Sequence, residues 1–359
     1  MYRILAVNPG STSTKIAVYE NGEEIARENI PIDENVISSF TSVMDQLDHR
    51  FELINKTLAD KNIGNDSFDA VVGRGGLLAP VPSGTYIVTK EMIDYLRIAA
   101  RGDHASNLGA VLAKKFAEIS SCEAYIVDPV SVDEFTEVAR ISGAPEIQRT
   151  SLLHALNQKA VARNVAAKLE KKLEDCRFVV AHLGTGITIG AHRNGKIIDV
   201  VGAQADGPFS PERAGGLPID KLVDYIFDNK LTKIEVRKKL VSSGGLVGYL
   251  GTRDIREVFK MADHDPKAKI VLEAFVYQIA KGIGEMSTVL DGDLDSIILT
   301  GGIAYSDRFV SMLEKKIKSI GPIVVIPGEN ELEALYKGAE RVLKKEELPK
   351  IYPSGEYIR

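Results

Sequence analysis

Short apolar runs broken by turn residues set the pattern from the start of the chain. Residues 3–7 (Arg-Ile-Leu-Ala-Val) run apolar until Asn8-Pro9-Gly10, and residues 15–19 alternate again before Asn21-Gly22. An Asn-Gly pair between alternating runs predicts a hairpin, because both central positions of a type I′ turn need positive φ. Residues 23–31 are expected to return as a third strand. A helical period then covers about 39–61, and Phe68–Gly73 reads as a buried strand.

The same opening recurs in the second half. Residues 177–183 run apolar into Gly184-Thr185-Gly186, residues 187–192 run back, and Asn194-Gly195 turns the chain into Lys196–Val201. Asn21 lies 13 positions after Asn8, and Asn194 lies 12 after His182. Strand, small-residue turn, strand, Asn-Gly, strand therefore appears twice, as in a duplicated domain rather than a solenoid. Further strands are expected at 124–127, 295–299 and 323–326. Helices are expected at 106–119, 152–173, 219–228, 267–289, 307–318 and 330–345. Strands followed by helices predict α/β mixed sheets with ligand sites at strand ends. Within 267–289, the apolar stretch 271–280 suits a dimer face or a buried core helix equally.

Composition narrows the class. With 359 residues, 44% hydrophobic and 26% charged, the chain has material for two globular domains. Its 45 Lys+Arg against 50 Asp+Glu leave a net charge of −5, which argues against nucleic acid as a partner. Cys122 and Cys176 are the sole cysteines and form no CxxC, so they suit a reducing compartment rather than a disulfide framework. No signal peptide or membrane-spanning stretch is evident. The expected location is cytoplasmic.

The chemistry concentrates in the turns. Asn8 to Lys15 (Asn-Pro-Gly-Ser-Thr-Ser-Thr-Lys) brings hydroxyls, a glycine and one lysine to a strand end, a set suited to phosphate oxygens. It is no Walker A loop, since a strand follows it rather than a helix. Gly184-Thr185-Gly186 is its counterpart, and Thr300-Gly301-Gly302-Ile303 adds a third glycine turn. A polar hairpin turn or a helix start explains any one of them alone. Three together favour a phosphate-bearing ligand.

In this order along the chain, these motifs resemble the acetokinase family of short-chain carboxylate kinases, closest to its butyrate-using branch. That family belongs to the superfamily shared by actin, hexokinase and the heat-shock 70 chaperones. The resemblance also rests on Val72-Gly73-Arg74-Gly75-Gly76, Val127-Asp128-Pro129, Gly207 to Gly215, Gly244-Gly245-Leu246 and Pro327 to Leu332. It implies two duplicated ribonuclease-H-like (actin-like) domains with mixed sheets flanked by helices and an ATP cleft between them. The first domain is expected at 1–150, completed by a C-terminal helix at 331–359, and the nucleotide-binding domain at 151–330. The implied reaction moves the γ-phosphoryl of ATP to butyrate or a branched short-chain acid, reversibly and in line, with Mg²⁺. A homodimer or higher homo-oligomer is expected, without nucleic-acid or membrane partners.

A carboxylic acid with a pKa of about 4–5 is already ionised at neutral pH, so the acceptor needs positive charge rather than a base. Arg74 and Arg213 are the expected charge-bearing catalytic residues, Arg74 also binding the carboxylate. His154 matches the family histidine that hydrogen-bonds the transition state. Ala155, Leu156, Asn157 and Gln158 after it depart from the acetate-kinase pattern of small residues and a second histidine. His104 matches a position near the substrate. Asp128 is expected to act in catalysis and at the metal, together with Asn8 and Glu331, with Glu329 a near neighbour of similar type. Asn8, Ser11, Ser13, Lys15, His182, Gly184, Gly186, Gly301, Gly302 and Ile303 are expected to bind ATP and its phosphates, with Gly301 and Gly302 near the adenosine. Glycines beside Arg74 are expected to leave room for a ligand and to widen the acyl pocket. Competing readings are an acetate or propionate kinase, a chaperone-like ATPase, and a sugar kinase using Asp128 as base.

Overall fold

The computed structural model describes residues 2–202 and 206–352. Its strands along the chain are β1 (Arg3–Pro9), β2 (Ser13–Glu20), β3 (Glu23–Pro31), β4 (Ala70–Arg74), β5 (Thr85–Ile87), β6 (Glu123–Val127), β7 (Arg177–Leu183), β8 (Ile187–Arg193), β9 (Lys196–Val201), β10 (Ser296–Gly301), β11 (Ile323–Pro327) and β12 (Lys350–Ile351). They form two mixed sheets, ordered β12-β5-β6-β4-β1-β2-β3 and β11-β10-β7-β8-β9. Both contain one arrangement: an antiparallel meander of three strands, with a parallel strand and then another beside its first member. Both Asn-Gly turns take positive φ at their two central residues, 53° and 95° at Asn21-Gly22 and 53° and 70° at Asn194-Gly195. Each second strand shifts register just ahead of its turn, at Val18/Tyr19 and at Ala191/His192. The duplication extends to these bulges.

The chain divides into two compact units, one taking residues up to Asp133 and from Asn330 onward, the other Glu134–Glu329. It crosses between them at Asp133/Glu134, earlier than the expected 150/151. Glu134 belongs to the second unit, because its carboxylate accepts from the Ile197 amide at 2.8 Å and pairs with the buried Lys159 ammonium at 2.9 Å.

In the first unit, Leu5, Val7, Ile16 and Val71 on one sheet face pack with Ile54 and Leu58 of helix Leu47–Asp60 and Leu108 and Phe116 of helix Asn107–Ser120. Helix Glu331–Leu343 belongs to the same unit, where the Tyr336 ring stacks on Tyr19 at 4.2 Å. This helix ends at Leu343, not 359; the short strand β12 comes after it, and residues 353–359 lie outside the described residues. The expected helix at 39–61 starts late, with a 3₁₀ turn at Met44–Gln46 leading into helix Leu47–Asp60. A separate short helix, Glu34–Ser38, precedes it, and the start forms where the Ser42 amide donates to Asp45 Oδ2 and the Asp45 amide to Ser42 Oγ.

In the second unit, helix Pro266–Val289 packs Val271, Leu272, Phe275, Val276 and Ile279 against Val179, Ala181 and Ile189. The stretch 271–280 is therefore largely core. On the other sheet face, Val161, Ala162 and Val165 of helix Ala155–Lys168 cover Phe178, Val180 and Ile298. Helices Lys90–Arg97, Lys233–Val241, Gly245–Leu250 and Ile255–Ala262 were not among those read from the periodicity. No described helix is long and apolar enough to cross a membrane.

Candidate active site

The expected residues divide between the two units, and contacts join Asn8, Arg74 and Glu331 in the first and His154 and His182 in the second. In the first unit, β1 carries Asn8, 4% exposed, to the turn end of the sheet. Its Nδ2 donates to Glu331 Oε2 at 2.5 Å. Arg74, the last residue of β4, brings Nη1 to 2.8 Å from Glu331 Oε1 and 2.9 Å from Oε2. A single nitrogen thus spans both carboxylate oxygens. Nε and Nη2 have no protein partner among the described residues.

Lys15 is the ladder partner of Asn8, and opposite residues of an antiparallel pair share a face. Lys15 and Ser11 are exposed and Ser13 half-buried. The turn closes through Gly10 N–H to Ser13 O at 2.7 Å.

Beneath this turn lies Arg50, a residue the motifs did not suggest. It is 1% exposed and donates to Ser13 O, Thr14 Oγ1, Ser11 O and Gln46 Oε1 at 2.8–3.4 Å. No carboxylate meets it among the described residues, and burial pulls its pKa down to about 10. Its only sequence signal is an arginine on the core-facing stripe of a helix.

Asp128 is buried at φ 37°, its Oδ1 accepting from the Gly84 amide at 2.7 Å while its own N–H donates to Gly84 O at 3.0 Å. That reciprocal pair anchors the segment before β5. His104 is exposed, and its Nδ1 accepts from the Ser106 amide at 3.2 Å, at the approach to helix Asn107–Ser120. The glycines around Arg74 are filled by protein rather than open to a ligand. A Cβ on Gly75 would lie 2.4 Å from Pro129 Cβ, and one on Gly76 would lie 2.7 Å from Asn107 Cα. The expectation that they widen an acyl pocket is thereby corrected.

In the second unit, the His154 and His182 rings stack with centroids 3.8 Å apart and planes 13° from parallel. His182 Nδ1 lies 2.7 Å from Asn157 Oδ1, and its Nε2 is 3.6 Å from Glu329 Oε1. Glu329 and Glu331 are thus separated in role, the first beside His182 and the second beside Arg74. His154 Nδ1 lies 2.9 Å from Thr188 Oγ1.

Arg213 lays its guanidinium over Gly186, where an added Cβ would come within 2.8–3.1 Å of Cζ, Nη1 and Nη2. Burial lowers the Arg213 pKa, although a guanidinium stays charged at neutral pH. Ser210 ties the loop to the turn, its Oγ donating to Thr185 O at 2.7 Å and accepting from the Arg213 amide at 3.0 Å. Glu212 pairs with Arg253 at 2.6 Å.

A Cβ on Gly184 would meet His182 Nε2 at 2.9 Å, and one on Gly301 would meet Leu183 O at 2.5 Å. Gly302 alone of these turn glycines has open space before it, with Ile303 buried behind. A cavity of about 700 Å³, walled by Phe209, Leu222, Tyr249 and Val271 among others, contains none of the expected residues.

Among the described residues, no three His, Cys, Asp or Glu side chains form a metal-holding group. Glu331 is engaged by Arg74 and Asn8, so the oxygen donors fit magnesium arriving with a triphosphate and keeping its water shell, not a preformed cage.

A family model described as "Acetokinase family" matches residues 147–347. The chain is 48% identical over 98% of its length to "Butyrate kinase 1" of Clostridium acetobutylicum, covering 100% of that protein. It is also 48% identical over 98% of its length to "Probable butyrate kinase 2" of Caldanaerobacter subterraneus, again covering 100% of it. Among solved structures, the acetate kinase of Porphyromonas gingivalis superposes with a TM-score of 0.79 at 18% identity, over 95% of this chain and 99% of that one, a likeness of fold.

Proposed function

The chain belongs to the acetokinase family, and from that membership we propose that it is an enzyme transferring the γ-phosphoryl of ATP to butyrate or a branched short-chain acid. The products are an acyl phosphate and ADP, and the transfer is direct, in line and reversible. The observation that carries this reading is the geometry of Arg74. Glu331 holds one nitrogen of its guanidinium, and the edge formed by Nε and Nη2 suits the two oxygens of a carboxylate.

The acceptor arrives ionised, so no residue has to remove a proton from it. Arg74 binds and orients the carboxylate, with Asn8 and Glu331 fixing the arginine. Arg213 and Lys15 offset charge on the phosphoryl oxygens, where dissociative transfer spreads it. His154 donates a hydrogen bond to the same group. The hydroxyls of Ser11 and Ser13, the open turn at Gly302 and Ile303, and His182 hold nucleotide, and His104 serves the acid. Asn8, Asp128 and Glu331 would receive the water shell of magnesium, which neutralises phosphate charge when bound. Asp128 as the base of a sugar kinase is the poorer reading, because its carboxylate already holds the Gly84 amide.

Trapping the acyl phosphate with hydroxylamine across acetate, propionate, butyrate, isobutyrate and valerate tests the assignment. The expected order places kcat/KM for butyrate or isobutyrate above that for acetate. A preference for acetate would overturn it.

We propose a cytoplasmic protein that forms a homo-oligomer, the assembly supported by Ile219, Phe227 and Ile234, which are 77%, 75% and 80% exposed on helices Ile219–Asp228 and Lys233–Val241. Light scattering by the wild type and by Phe227→Glu distinguishes an oligomer held by this face from a monomer.

A further inference from the structure

Four polar side chains of the second unit form one connected line: His192, Gln158, Thr188 and His154. His192 Nε2 lies 3.0 Å from Gln158 Oε1, and Gln158 Nε2 donates to Thr188 O at 3.2 Å and to Thr188 Oγ1 at 3.0 Å. Thr188 Oγ1 then lies 2.9 Å from His154 Nδ1. Gln158 and Thr188 are fully buried. Gly190 makes the passage possible, since a Cβ there would stand 2.5 Å from Gln158 Oε1.

Each proton in this line has one place to go. A backbone carbonyl only accepts, so the end of Gln158 facing Thr188 O is its NH₂ group. The opposite end, Oε1, therefore accepts, and His192 supplies the Nε2 proton. Burial, with Lys159 and Arg163 nearby, pushes the His192 pKa well below the usual imidazole range, so that ring is neutral. Thr188 Oγ1 receives a proton from Gln158 and has its own to give. Among the described residues the acceptor within its reach is His154 Nδ1. The reverse arrangement would leave a buried hydroxyl proton unbonded, which native structures avoid.

We infer that Gln158 and Thr188 are positioning residues that hold His154 as its neutral, Nε2-protonated tautomer. His154 then presents an uncharged N–H donor, and neither an acid nor a base. The adjacent residue sets the other ring of the stack oppositely. Asn157 Nδ2 donates to Glu329 O at 3.0 Å and Gly328 O at 3.4 Å, so Asn157 Oδ1 accepts from Nδ1 of His182. Neighbouring side chains of one helix turn thus set the stacked imidazoles differently, with a proton on Nδ1 of His182 and on Nε2 of His154. This inference rests on the proposed function only in assigning the donor of His154 to the phosphoryl group.

Long-range ¹⁵N imidazole spectra of the whole enzyme test it, with His154 assigned by its loss in His154→Gln. The expected wild-type signature is an unprotonated Nδ1 and a protonated Nε2 at neutral pH, retained in Thr188→Ser. In Thr188→Val the two tautomers mix, and kcat falls about tenfold, the worth of one lost hydrogen bond, while KM for both substrates stays within about twofold. A protonated Nδ1 on His154 in the wild type overturns the inference whatever the variants do. So does a Thr188→Val enzyme with unchanged kcat. The expected spectrum in a protein that phosphorylates no carboxylate would instead remove the functional reading and leave the tautomer standing.

Discussion

Arg74 meets Glu331 with one nitrogen, Nη1, placed 2.8 Å and 2.9 Å from the two carboxylate oxygens. A guanidinium and a carboxylate usually pair through two parallel bonds. The single-nitrogen contact fixes the arginine while keeping its other edge for a second anion. Arg74→Ala should therefore lower kcat/KM for the acid about 100- to 1,000-fold and leave nucleotide affinity near normal. Hydroxamate assays and nucleotide titration by calorimetry check the split.

Gly186 separates fold from function in the same way. A methyl group there pushes on the end of the Arg213 side chain rather than on backbone. Gly186→Ala should displace the guanidinium and cut kcat about tenfold or more with a small change in Tm. A large drop in Tm with normal kcat would be the contrary result.

Arg50 supports the first turn from below. Arg50→Met removes the donors to Ser11 O, Ser13 O and Thr14 Oγ1, and each group left unpaired and buried costs about 1–3 kcal/mol. The expected outcome is a lower urea midpoint together with a severalfold rise in KM for ATP. Both are measured on one preparation.

His192 makes stability depend on pH. Its folded pKa lies well below the ordinary value because of burial, so between the two values the unfolded chain binds the extra proton. Stability is then full above about pH 6.5 and falls as the pH drops. This group contributes up to about 1.4 kcal/mol per pH unit in that window. His192→Gln, which keeps a donor toward Gln158 without a titrating ring, should flatten the slope. Urea denaturation at pH 5, 6 and 7 measures it.

The frame of the fold was legible because local chemistry dictates it. Asn21-Gly22 and Asn194-Gly195 take the positive φ that the hairpins demanded, and the three-stranded meander of each sheet is that unit read twice. The helices at Lys233–Val241 and Gly245–Leu250 escaped because the first has no buried face to impose a period and the second is six residues long. The turns and the arginines of the candidate site can be picked out along the chain, but the packing around their glycines cannot. Gly75, Gly76, Gly184, Gly186 and Gly301 are small because protein occupies the adjoining space, a fact of packing that no motif displays. Thr188, Gln158 and Arg50 act through buried partners distant along the chain, so no local pattern announces them.

One rung of the repeated ladder carries a lesson about how a duplicated protein diverges. Asn8 faces Lys15 on the penultimate rung before the first turn, and His182 faces Thr188 on the corresponding rung of the second. One rung bears a cation and an amide, the other an imidazole and a hydroxyl. The same position in the ladder thus offers a different chemistry in each copy. Exchanging that pair between the copies would ask a sharp evolutionary question: how little sequence separates two halves that can no longer substitute for one another.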